Sequence, residues 1–371
     1  MTTAALRQGT SLWLLEAGRA IHAHRWLIGY TLIYLFVGLA LAEAAALPER
    51  LSLSLYSVSS LEVLLGCVGA FALLYPVYVM LWVRPERLTR TIVMDFRTRY
   101  LTAERLLGAL IVLALLPLFV SVFTGIKALI PVLHPFAWDE AFAAWDRWLH
   151  GGVDPWRLLQ PVLGYPWVTS AVNFVYHLWL FVVYGVLFWQ AFSTREPRLR
   201  MQFLLSFVLT WSLLGSLLAV LLSSGGPVYY GRLTGLADPF APLMDYLVAA
   251  DRVAPVRVLD VQDMLWRNYA EGASGFGAGI SAMPSMHVSA TVLFTLLAWR
   301  VNRWLGRLFA AFAVVILIGS VHLAWHYAID GYLAALLTWL IWRAAGWWTA
   351  RDSAGQRVPK WLSAAGRGRL A

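Results

Sequence analysis

The sequence is poor in charge. Of its 371 residues, 13% are Asp, Glu, Lys or Arg and 60% are hydrophobic, against about a quarter charged in an ordinary soluble domain. A water-soluble globule is excluded for the bulk of the chain. Lysine is nearly missing: all 29 basic residues are arginine except Lys127 and Lys360, and the net charge is +9. The arginines fall between apolar runs, so membrane topology rather than nucleic-acid binding accounts for them. The single cysteine, Cys67, excludes an internal disulfide and reads as a small buried hydrophobe. The first 25 residues, interrupted by Arg7, Glu16, Arg19 and Arg25, hold no clean apolar core before a small-residue cleavage site. No cleavable signal peptide is expected there, and residues 11–24 read as an amphipathic helix on the membrane. Period-two alternation is absent, which sets strands aside. Soluble domains, low-complexity linkers and internal repeats are also missing.

What is there is a series of long apolar runs. Spans of about 20 apolar residues fall near 26–46, 61–83, 106–130, 166–192, 203–222, 284–300, 308–326 and 330–348. The fold class expected is therefore all-α: a polytopic bundle of about eight transmembrane helices, with interfacial helices in two longer loops. Residues 84–105, 193–200 and 300–307 carry six, three and three arginines against three, one and no acids. Residues 131–165 and 223–280 carry four and six acids against two and four arginines. The positive-inside rule then puts both termini in the cytoplasm and the two longer loops outside. The absence of an N-x-Ser/Thr sequon from the outer loops points to a bacterial inner membrane. In 138–152, Trp138, Phe142, Trp145, Trp148 and Leu149 share a helical face before Gly151–Gly152, as in a helix resting on the bilayer. Three regions follow: 1–105 with two spans and a basic loop, a catalytic membrane domain over 106–350, and a basic tail over 351–371.

Two stretches carry chemistry. In "SVHLAWHYAID", His326 and Asp330 are four apart, a spacing that lets them touch on one helical face, and His322 extends that face by a turn. A carboxylate on a histidine fixes its tautomer and raises the basicity of the other ring nitrogen. In "SAMPSMHVSA", His287 opens span six at the same membrane depth. Ionisable residues at that depth are costly and mark function. The set suits phosphoryl transfer without metal or other cofactor, since the outer loops offer neither a dense carboxylate cluster nor a Cys/His quartet. His326, oriented by Asp330, is the nucleophile. His287 protonates the leaving oxygen and then deprotonates the incoming hydroxyl. The first turn of span six, beginning at Pro284 with Ser285 beside it, offers free N–H groups to a phosphate. Lys127 and Arg232 are further candidates for its charge, each with a plain alternative as a snorkelling or solvated cation. Asn173, Tyr176 and His177 are candidates to line a headgroup cavity or else to bond a neighbouring helix. Tyr229 and Tyr230 are lid residues or interface aromatics.

These residues carry a resemblance. "PSMH" at 284–287 and "HYAID" at 326–330 resemble two signature blocks of the type 2 phosphatidic acid phosphatase superfamily, with Met286 where many members have glycine. The arginine usual six residues before the second histidine is replaced by Ser320, and Arg84–Pro85, with Val77 in the lysine position, is a decoy for the upstream Lys-x6-Arg-Pro block. "GFGAGISAMPSMHVSA" followed by His326 is similar to the inositol phosphorylceramide synthase group and its bacterial relatives, and "GGPVYYG" at 225–231 resembles a proline–aromatic loop there. Sphingomyelin synthases share the same His–His–Asp logic. The resemblance implies a six-helix catalytic core and the roles given above. Its expected partners are a phospholipid donor and a lipid or polyol acceptor in the bilayer, with no nucleic acid and no predicted oligomeric state. The alternatives are a phosphatase acting on phosphatidate or polyprenyl phosphate and, from another class, a transporter with a polar site near its outer surface.

Overall fold

The computed structural model of the chain describes residues 3–273, 275 and 277–355. Residues 356–371, most of the expected basic tail, lie outside the described residues. The architecture is all-helical, with no strand among the described residues. Among the described residues, six helical segments are long and apolar enough to cross a membrane. They are α2 (Arg25–Ala44), α3 (Ser57–Tyr78) with a π-turn to Val83, α5 (Ala103–Leu133), α8 (Pro166–Phe192), α9 (Pro197–Ser212), continued by a π-turn and the last turn α10 to Leu221, and α15 (Arg303–His322). The runs expected as spans six and eight also form helices, α14 (Met286–Val301) and α16 (Ala328–Gly355). α14 has 16 residues. At 1.5 Å per residue it measures about 24 Å, shorter than a hydrocarbon core of about 30 Å.

α14, α15 and α16 pack together, α9 lies against α14 and α16, and α5 and α8 close the other side, with α8 on α15 and α2 on α5. α1 (Thr3–Ala23) also packs on α5. α3 stands at the edge with 6% of its apolar window buried, so Cys67 is exposed and not a core residue. That face suits lipid, where an apolar surface needs no further cover. The arginine-rich connection that contains α4 (Leu88–Asp95) meets the start of the 193–200 connection at one end, where Arg105 donates to the Phe192 carbonyl at 2.7 Å and to the Thr194 hydroxyl at 3.1 Å. The other end carries α6 (Asp139–Leu149), α7 (Pro155–Leu163), the short α11 (Tyr230–Thr234), α12 (Ala241–Asp251) and α13 (Val258–Ala270).

α6 has two faces. Trp145 and Trp148 are exposed, as an interfacial helix requires, but Asp139, Phe142, Ala143 and Asp146 are buried. Residues 139, 142, 143 and 146 recur at helical spacing and form one stripe. The helix is therefore docked on the bundle and does not simply rest on a bilayer. What it docks onto is the segment joining α15 to α16.

Candidate active site

α15 ends at His322, and the chain then turns through Ala324, whose φ is +59°. His326 and Tyr327 are not helical, and α16 starts at Ala328. The expected contact forms, with the His326 Nδ1–H donating to Asp330 Oδ2 at 3.2 Å, but not along a helical face. Asp330 is the third residue of α16 and also accepts the Tyr327 N–H at 3.1 Å. An acid in the first turn is favoured there because the first N–H groups of a helix lack partners and carry partial positive charge. His326 donates from outside the helix to the same carboxylate. Asp330 is fully buried, and the bond fixes the tautomer that leaves the His326 Nε2 lone pair free.

His287 lies in the first turn of α14, and its ring centroid is 6.2 Å from that of His326 in a T-shaped arrangement. Ser285, not Pro284, opens this helix: it is the N-cap, and its Oγ accepts the Val288 N–H at 3.4 Å. The Ser285 N–H donates to the Asp330 carbonyl at 3.3 Å, which ties the two histidine segments together. Gly215, within the π-turn of α9, lets that helix approach so closely that a Cβ there would lie 2.7 Å from the Phe123 ring and 2.9 Å from Met286 Sδ.

His287 and His326 share one cavity of about 470 Å³, which runs between α5 and α8 from the histidines to Leu113 and Ala191. Lys127, His177, Tyr176 and Tyr229 also line it, with Tyr56 and the segment 277–281. Its deeper walls are apolar: Leu116, Pro117 and Val120 from one side, Leu180, Val183 and Leu187 from the other. No arginine and no acid lines it among the described residues, so Lys127 is the one basic side chain there besides histidine.

Other sequence candidates sit elsewhere. His322 is buried behind the site, where its Nε2 meets the Thr169 hydroxyl at 2.9 Å. The Asn173 Oδ1 accepts the Val258 N–H at 3.0 Å and so pins α13 to α8. The neighbouring His177 does face the cavity, with its Nδ1–H donating to the Asn173 carbonyl at 2.8 Å. Tyr229 is buried, donates to the Gln262 carbonyl at 2.8 Å and stacks on Trp266. The Arg232 guanidinium covers the same Trp266 ring at 5.0 Å. Tyr230 packs edge-on against Phe240. Ser285, His322, Asn173, Tyr230 and Arg232 do not line the cavity.

Two residues escaped the sequence reading. Asp139 accepts the N–H groups of Gly225 and Gly226, both at 2.8 Å, and the Tyr327 hydroxyl at 2.9 Å. Asp146, two helical turns on, accepts the N–H groups of Ala328 and Ile329 at 2.9 and 3.1 Å. One buried stripe of α6 thus clamps the Gly225–Gly226 turn and the His326 segment. Burial pushes both carboxyls above the usual carboxylate range, against the lowering effect of the N–H groups they accept. It also raises the Tyr327 phenol well above its usual value, so that it stays a donor to Asp139. The available signal was two acids seven apart on the face of Phe142 rather than on that of Trp148.

A family model described as the PAP2 superfamily matches residues 140–344. No curated protein and no solved structure matches the chain.

Proposed function

The chain belongs to the PAP2 superfamily, a membrane family of phosphatase and phosphotransferase type, and on that footing we propose that it is a lipid phosphotransferase. It moves a phosphoryl-linked head group from a phospholipid to a lipid or polyol hydroxyl, at the outer face of a bacterial inner membrane. The observation that carries this reading is the pair of rings, one with its Nδ1–H on a buried carboxylate, facing one cavity 6.2 Å apart. That gap suits a phosphorus about 3 Å from the His326 Nε2, with the leaving oxygen within hydrogen-bond reach of His287.

In the first step the Nε2 lone pair forms an N–P bond, the bond from phosphorus to the leaving oxygen breaks, and protonated His287 gives its proton to that oxygen. In the second step neutral His287 takes the proton of the incoming hydroxyl, whose oxygen attacks phosphorus and breaks the N–P bond. Asp330 balances the charge that His326 acquires. Lys127 offers a phosphate oxygen its ammonium. The apolar walls suit acyl chains, at roughly 0.8 kcal/mol per buried methylene. Ser320 in place of the usual arginine, and the inositol phosphorylceramide synthase-like block at 275–290, favour an alcohol over water as acceptor.

The test is the purified His326→Ala variant with labelled phospholipid and an alcohol acceptor in mixed micelles. Expected is loss of both transferred and free label. Wild-type turnover would remove His326 as nucleophile. Free phosphate as the main wild-type product would make the enzyme a phosphatase, and transport with no phosphoryl chemistry would revive a transporter.

A further inference from the structure

The two histidines are held in different ways. His326 is fixed through a ring nitrogen by Asp330. No hydrogen bond fixes either ring nitrogen of His287 among the described residues, and its ring is held by its faces. The Tyr176 centroid lies 4.6 Å away with planes 23° apart, and that of Trp179 lies 4.1 Å away at 38°. Both aromatic residues come from α8, three apart and therefore on one helical face. They are 5% and 8% exposed. Trp211 of α9 stacks behind Trp179, with centroids 6.5 Å apart and planes at 20°. In each ring the nitrogens sit at the edge. A grip on the faces sets the ring plane and leaves both nitrogens open, whereas a carbonyl or carboxylate on one of them would select a tautomer. A group that gives a proton in one step and takes one in the next needs that freedom. The electron-rich aromatic faces also accept the ring in its charged form.

We propose that Tyr176 and Trp179 are positioning residues that set the plane of His287 for proton transfer to the leaving oxygen. This rests on the reading of His287 as the acid of the first step. A general packing role and a positioning role differ in their dependence on the leaving group. An alkoxide needs the proton in order to leave, and a 4-nitrophenolate does not.

The experiment measures single-turnover release of the leaving group from a phospholipid and from a 4-nitrophenyl phosphate ester of matched chain length. It uses the full chain in detergent and follows folding by thermal unfolding. In Tyr176→Leu and Trp179→Leu, release from the phospholipid is expected to fall about 10- to 100-fold, a part of what general acid catalysis supplies. Release from the aryl ester should stay within about threefold, with KM unchanged. Tyr176→Phe, which keeps the ring, should restore phospholipid release to within about threefold, since the hydroxyl has no partner in the described structure. If a leucine variant does not fold, Trp179→Phe, with a smaller ring face, carries the same comparison at a ratio of roughly three to ten. Equal slowing of both substrates, or of neither, overturns the positioning role. His287→Ala separates the two layers. If it shows the leaving-group dependence and the slot variants do not, this inference alone fails. If it shows none, the acid role of His287 falls as well.

Discussion

Gly226 offers the sharpest test of how the site is assembled. Its φ of 92° and ψ of 170° lie in a region that is essentially reserved for glycine. A Cβ there would sit 2.6 Å from the Trp325 carbonyl oxygen and 3.1 Å from Ala282 Cβ. Ordinary contact begins at 3.4 Å, so the backbone beside His326 must give by about 0.8 Å. That backbone has little freedom, because the Ala324 carbonyl accepts the Val228 N–H at 3.0 Å and the Asp139 carboxylate spans the turn and Tyr327. The φ/ψ penalty alone is about 1–3 kcal/mol, and a misplacement near 1 Å at a catalytic group costs about 10²-fold in rate. Gly226→Ala is therefore expected to fold with a lowered melting temperature and to lose about 10²-fold in kcat on labelled phospholipid, with a smaller change in KM. Gly185→Ala on α8, where a Cβ meets nothing within 4 Å, is the control and should match wild type. Wild-type kcat in Gly226→Ala would refute the idea that the Gly225–Gly226 turn holds the His326 segment in register.

Other outcomes follow from the same geometry. Lys127→Met removes the one lysine or arginine that lines the cavity among the described residues, so kcat/KM should fall roughly 10- to 100-fold, as when a charged hydrogen bond is lost, and an unchanged value would separate Lys127 from phosphate binding. Asp330→Asn leaves His326 without its anionic partner, and kcat should fall toward the roughly 10⁴-fold loss seen when an Asp–His pair is broken this way. A loss under tenfold in kcat would show that the carboxylate does not orient the nucleophile. The Asp139 carboxyl is raised by burial, so the folded protein takes up its proton more readily than the unfolded chain does. Its ionisation then makes stability fall as pH rises from the ordinary value of 3.8 through the raised one. Asp139→Asn, which does not titrate, should show a shallower fall of melting temperature over that window, and a steeper one would contradict the sign.

Local sequence was enough to locate the helices. Each apolar run expected to span became a helix at nearly the expected place, because a bilayer leaves long apolar segments no other way to satisfy their backbone. His287, His326 and Asp330 stood out as candidates for a related reason, since charge in an apolar chain is conspicuous and only a few such positions exist. The contact partners were not. His326 and Asp330 meet across a helix start rather than along a helix, and helix boundaries depend on caps that a hydropathy pattern does not show. His322 and Asn173 looked equivalent to site residues until folding turned them toward Thr169 and Val258. Asp139 and Asp146 escaped notice, because the groups they hold, near Gly225 and Ala328, are far away in sequence. Composition and periodicity thus determined which segments form long apolar helices and which side chains are rare enough to stand out. Which of them face one cavity, and which acids hold it together, was decided by packing between helices, a long-range property that no local pattern encodes.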